Sequence, residues 1–131
     1  MWDIEKVVLV TNNSKAAEKY KDIFDVHVEK DYESVLLKTR DLVYSGFSLL
    51  THPQASSLKP NQTPVRSVLL YPQRDGDQHG RDCLLAEDVL HVYWQWQEIA
   101  PTPDDYREAV RNDFETIDLS MIDGAAGKLG V

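Results

Sequence analysis

Cysteine is almost missing from this chain. Cys83 stands alone, so neither an intramolecular disulfide nor a Cys-x-x-Cys redox pair can form. Long hydrophobic runs are missing too, and nothing approaches the ~20 consecutive apolar residues that span a bilayer. Positive charge is scarce: 14 Lys and Arg face 22 Asp and Glu, a net charge of −8 that repels duplex nucleic acid and anionic membrane surfaces. Even the basic stretch from Pro72 to Arg81 carries Asp75 and Asp77. Neither nucleic acid nor membrane is therefore an expected partner. The opening Met1-Trp2-Asp3-Ile4-Glu5-Lys6 is acidic where a secretory leader is basic, and a cytoplasmic protein is the expectation.

Motifs for common cofactors are absent as well. No Walker loop and no Gly-rich dinucleotide fingerprint occurs, and no cofactor is expected. His79 and Cys83 are four apart, a spacing that suits one helix face. Gly80 between them weakens that helix, no second ligand pair exists, and no metal site is expected.

What remains is an ordinary globular composition, 42% hydrophobic and 27% charged over 131 residues. This suits one domain, placed at 1–123, with the glycine-rich 124–131 as a flexible tail. Val7-Val8-Leu9-Val10 reads as a strand covered on both faces. Asn12-Asn13-Ser14 caps a helix with Ala16, Tyr20, Ile23 and Phe24 on one side. Val26 and Val28 alternate with charged residues, as on an edge strand. Asp31 caps a second helix with a buried stripe of Tyr32, Val35, Leu36, Thr39, Leu42 and Val43, which Gly46 ends. Phe47 to Leu50 is a third strand. Ser67 to Tyr71 is a fourth, its direction open.

Two helices follow. The first, from about Asp82 to Gln97, places Leu85, Val89, Val92 and Trp96 together. The second should begin at Thr102-Pro103-Asp104-Asp105 and bury Tyr106, Val110, Phe114, Ile117 and Met121. Alternation of Ile117, Leu119 and Met121 also permits a strand over 115–122, though helix is favoured. The pattern predicts a three-layer, doubly wound α/β sheet of about four strands, mostly parallel, with helices on both faces. The first strand would lie between the second and third.

Residues 52–65 show no periodicity and contain Pro53, Pro60 and Pro64. In open α/β sheets ligands bind beyond the carboxyl ends of the strands, where strand order reverses. That geometry would bring Thr11, Asn12, Asn13 and Ser14 to Thr51, His52, Ser56, Ser57, Lys59, Asn61 and Thr63. Hydroxyls, amides and one ammonium suit a small anion, a carboxylate or phosphate. A proline-braced loop capping its own turns would carry the same residues. His52 is a weak acid–base candidate: no fixed nucleophilic partner stands near it in sequence, and a structural role is favoured. Ser56 and Ser57 lack the strained strand–turn–helix elbow that activates a serine. Trp94 and Trp96 cannot both face the core, so one can serve a partner chain.

The run Leu49-Leu50-Thr51-His52-Pro53, with Ser57, Lys59-Pro60-Asn61 and Thr63-Pro64, resembles the most distinctive stretch of GrdX proteins. Val10-Thr11-Asn12-Asn13, Tyr20-Lys21, Arg40-Asp41 and Asp113-Phe114 with Ile117-Asp118-Leu119-Ser120 are similar too. The loop 72–80 and the glycine-rich tail match no family pattern. The resemblance implies a small protein encoded with the glycine/sarcosine/betaine reductase system, whose components would be its partners. It supplies no catalytic residue. The reading favours binding over chemistry. A small enzyme using His52, or an interaction module built on the Trp94/Trp96 helix, are the alternatives. Oligomeric state is open.

Overall fold

The computed structural model describes residues 2–53, 62–103 and 106–131. Four strands, β1 (Val8–Thr11), β2 (Asp25–Val28), β3 (Phe47–Leu49) and β4 (Ser67–Pro72), form one sheet in the order β2-β1-β4-β3. Helices α1 (Ser14–Tyr20), α2 (Tyr32–Tyr44), α3 (His79–Ile99) and α4 (Glu108–Lys128) complete the α/β architecture.

The N-terminal half follows its local signals. The Asn13 side chain accepts from the Lys15 amide at 3.0 Å and starts α1. Asp31 Oδ1 does the same for the Ser34 amide at 2.8 Å and starts α2. Gly46, just past α2, adopts φ 111°, a region that a side chain disfavours, and turns the chain into β3. β1 is internal and fully buried, and β2 lies at an edge, as their apolar and alternating patterns predict.

The sheet is mixed, and this corrects the expected topology. β1 and β2 are parallel, but β4 runs antiparallel to both β1 and β3 and lies between them. β1 therefore neighbours β2 and β4, not β2 and β3. An antiparallel return needs no crossover helix, whereas a parallel one does. With β4 inserted, the arrangement is neither mostly parallel nor doubly wound.

Because successive strand residues point to opposite faces, β1 and β4 feed two separate clusters. Leu9, Leu69 and Tyr71 pack with Ala16 and Tyr20 of α1 and with Ile122 and Ala126 of α4. Val8, Val10, Val68 and Leu70 pack with Val35 and Val43 of α2, with Cys83 of α3 against them. A third cluster, Tyr32 and Leu36 against Val89 and Leu90, joins α2 to α3.

The C-terminal helices differ from expectation in start, end and face. Thr102 does not open α4: its amide and hydroxyl pair with the Gln97 side chain at 2.9 and 2.6 Å, closing the end of α3. α4 begins at Glu108 and runs through Gly124 and Gly127 to Lys128, the stretch read as a tail. Residues 115–122 are helical within it. Its buried positions are Asp118, Ile122 and Ala126, while Ile117 of the predicted stripe is 49% exposed. Periodicity misplaced the face because a carboxylate occupies one of its buried positions.

Candidate functional site

The turn after β1 delivers a chain of hydrogen bonds into the interior. The Asn13 amide donates to Thr11 Oγ1 at 2.9 Å, and Thr11 Oγ1 lies 2.7 Å from Ser67 Oγ. Ser67 spends its only hydroxyl proton on Asp118 Oδ2, at 2.5 Å, so Thr11 must be the donor to Ser67. Asn13 closes the circuit through Nδ2, donating to the Glu115 carbonyl at 2.9 Å and to Asp118 Oδ2 at 3.0 Å. Asp118 is 8% exposed, so these donors replace the water its carboxylate loses.

Asn12 ties the same turn to the segment that leads into β4. Its Oδ1 accepts from the Arg66 amide at 2.8 Å, and its Nδ2 donates to the Pro64 carbonyl at 2.8 Å. The Arg66 side chain is itself buried, with Nε donating to the Tyr32 hydroxyl at 3.1 Å and the guanidinium 5.3 Å from the Tyr32 ring centre.

Beside this network lies a cleft of about 520 Å³ between α4 and the β4–β3 half of the sheet. Leu50, Leu69, Met121, Ile122, Ala125 and Leu129 contribute apolar wall, and Trp2 joins them. The polar lining is Thr51, His52, Arg66, Ser67, Asp118 and Lys128. Asp118 lies at the end of the sheet where β1 finishes, because its partner Ser67 is in register with Thr11. Lys128, ten residues further along α4, lies about 15 Å away along the helix axis.

The residues singled out in sequence divide by position. Thr51 and His52 reach the cleft, Thr51 with its Oγ1 accepting from the Leu69 amide at 3.0 Å. Thr11 and Asn13 are sealed in the interior as network members, and Asn12 is nearly so. Ser14 is at the surface, donating to Glu115 Oε2 at 3.1 Å. Thr63 is buried and turns back on its own chain, donating to the Val65 carbonyl at 3.2 Å. Ser56, Ser57, Lys59 and Asn61 lie outside the described residues. The crevice expected between the first and third strands does not form, because β4 fills that position.

Arg66, Ser67, Asp118 and Lys128 were not anticipated as site residues. Arg66 and Ser67 are polar residues opening an apolar strand, and Asp118 is a carboxylate in line with Ile122 and Ala126 at helical spacing. Those were the available signals. No group of three His, Cys, Asp or Glu among the described residues is arranged to hold a metal ion. No described helix is long and apolar enough to cross a membrane.

The model of the GrdX-like protein family matches residues 8–126, nearly the whole chain. The chain belongs to the GrdX-like family. No curated protein and no solved structure matches it. The GrdX-like match spans β1 through most of α4, so Thr51, His52, Arg66, Ser67 and Asp118 all fall within it. Lys128 lies just beyond its end.

Proposed function

We propose that this GrdX-like protein is a cytoplasmic accessory protein of the glycine/sarcosine/betaine reductase system that binds a small anion in the cleft beside α4. The family membership supports the setting. The observation that carries the ligand class is the lining itself: in a chain of net charge −8, the described residues lining the cleft include the exposed Lys128 and the buried Arg66, with Asp118 as the one carboxylate among them. His52 lines the same cleft. Apolar walls lower the local dielectric and strengthen attraction to an anion that enters. Binding rather than turnover is the favoured reading, because the family resemblance supplies no catalytic residue.

The test is calorimetric titration of the protein with glycine, sarcosine, betaine, phosphate and acetyl phosphate. At least one should bind, and Lys128→Met should weaken that binding about tenfold by removing a charge-assisted contact. The melting temperature should hardly change, because exposed charges contribute about 0–1 kcal/mol. Silence from every anion would sink this reading and leave binding to a reductase component as the function to pursue. Unchanged affinity in Lys128→Met would remove the lysine from the site.

A further inference from the structure

The carboxylate of Asp118 is only half used. Its Oδ2 accepts from both Ser67 and Asn13, whereas Oδ1 has no hydrogen-bond partner among the described residues. Oδ1 is not among the sealed, partnerless atoms, and Asp118 lines the cleft. No Lys, Arg or His among the described residues forms an ion pair with it, although the residue is more than nine-tenths buried. Buried charges are ordinarily paired. Asn13 and Ser67 hold the group in place but supply no counter-charge.

An anion pressed against Oδ1 would be repelled, so this end of the cleft calls for a donor. We infer that Asp118 is an ammonium subsite and that the ligand is amphoteric, its nitrogen donating to Oδ1 while its anionic end lies toward Lys128. This rests on reading the cleft as the anion site. Lys128 is about 15 Å along α4, and helical side chains lean toward the N-terminus, which brings its ammonium back over the cleft. Leu69, Ile122 and Ala125 line the interval. A ligand whose two charges are joined by a short alkyl stem matches this order of charge, apolar wall and charge.

Three compounds with one stem test it by calorimetry on the wild-type protein: pentanoate, pentylamine and 5-aminopentanoate. The amphoteric compound should bind about ten- to a hundredfold tighter than pentanoate. Its N,N,N-trimethyl derivative keeps the charge but has no N–H, and should lose at least about tenfold. Asp118→Asn should bring 5-aminopentanoate and pentanoate to similar affinity. Equal binding of pentanoate and 5-aminopentanoate by wild type would overturn the ammonium subsite and leave the anion reading standing, whatever the variant does. Binding of pentylamine without pentanoate would overturn the anion reading and leave the ammonium subsite standing. Failure of all three would overturn both.

Discussion

Asn13 Nδ2 stands 3.0 Å from Asp118 Oδ2 although 105 residues separate them, and the same asparagine caps α1 through its carbonyl oxygen. One side chain thus starts a helix, anchors α4 and neutralises part of a buried carboxylate's hydrogen-bonding demand.

Asn13→Ala should therefore destabilise the protein more than an ordinary cap deletion. Losing the cap costs about 1 kcal/mol, and leaving a buried acceptor short of a donor costs about 1–3 kcal/mol more. Urea denaturation should show the midpoint fall at constant slope. A loss below about 0.5 kcal/mol would mean the pairing with α4 contributes nothing.

Tyr32→Phe isolates the other buried polar link. It deletes the hydroxyl that accepts from Arg66 Nε and retains the ring beneath the guanidinium. The expected loss is about 1–3 kcal/mol by the same denaturation experiment. Arg66→Lys should also destabilise, since an ammonium cannot reproduce the planar stacked geometry. Wild-type stability in both variants would contradict this role for Arg66.

His79→Leu should behave in the opposite way. His79 Nδ1 is buried with no hydrogen-bond partner among the described residues, while Nε2 lies 3.5 Å from Cys83 Sγ. Removing a desolvated, unsatisfied nitrogen should be neutral or stabilising by up to about 1 kcal/mol. A clear drop in melting temperature would show instead that the imidazole–thiol contact holds the first turn of α3.

Acid should act through Asp123. Burial raises its pKa, but hydrogen bonds from Lys19 and Tyr20 and the charge of Lys19 outweigh that and hold it below the ordinary carboxylate range. A depressed folded value means stability present above the unfolded value of about 4 and lost as pH falls through the folded one. Asp123→Asn should be less stable than wild type at pH 6, with the gap closing as the pH falls through and below the ordinary carboxylate range. A gap independent of pH would show that the group's charge is irrelevant.

Alkali should act through Tyr93, which burial first, then the charges of Glu33, Asp31 and Tyr32, pushes up to about 12. A raised folded value gives stability that is full below the unfolded value of about 10 and lost as pH rises toward the folded one. Wild type should lose stability more steeply than Tyr93→Phe between pH 10 and 12. Parallel curves would refute the assignment.

Local signals made the first half of the fold legible. Asp31, Gly46 and the stripe on α2 each act within a few residues, and Val7–Val10 is apolar enough to demand an interior position. The place of β4 was not legible, because strand order depends on contacts such as Thr11 with Ser67 across 56 residues. Thr102 misled because its side chain satisfies the residues before it, not those after it. Asp118 stayed hidden for a related reason. A carboxylate on a helix reads as solvated surface until the three distant polar residues that bury it, Thr11, Asn13 and Ser67, come together.

The antiparallel insertion of β4 also sets an order of events during synthesis. β3 pairs with β4 alone, and β1 has a partner on its second side only once β4 arrives. At ~5–20 residues per second, the ribosome needs roughly three to eleven seconds to pass from Thr11 to Ser67. Throughout that interval the emerging chain carries Val8–Val10 paired on one side at most and Phe47–Leu49 with no strand of its own sheet to join. Both strand edges stay unpaired until residue 72 has cleared the exit.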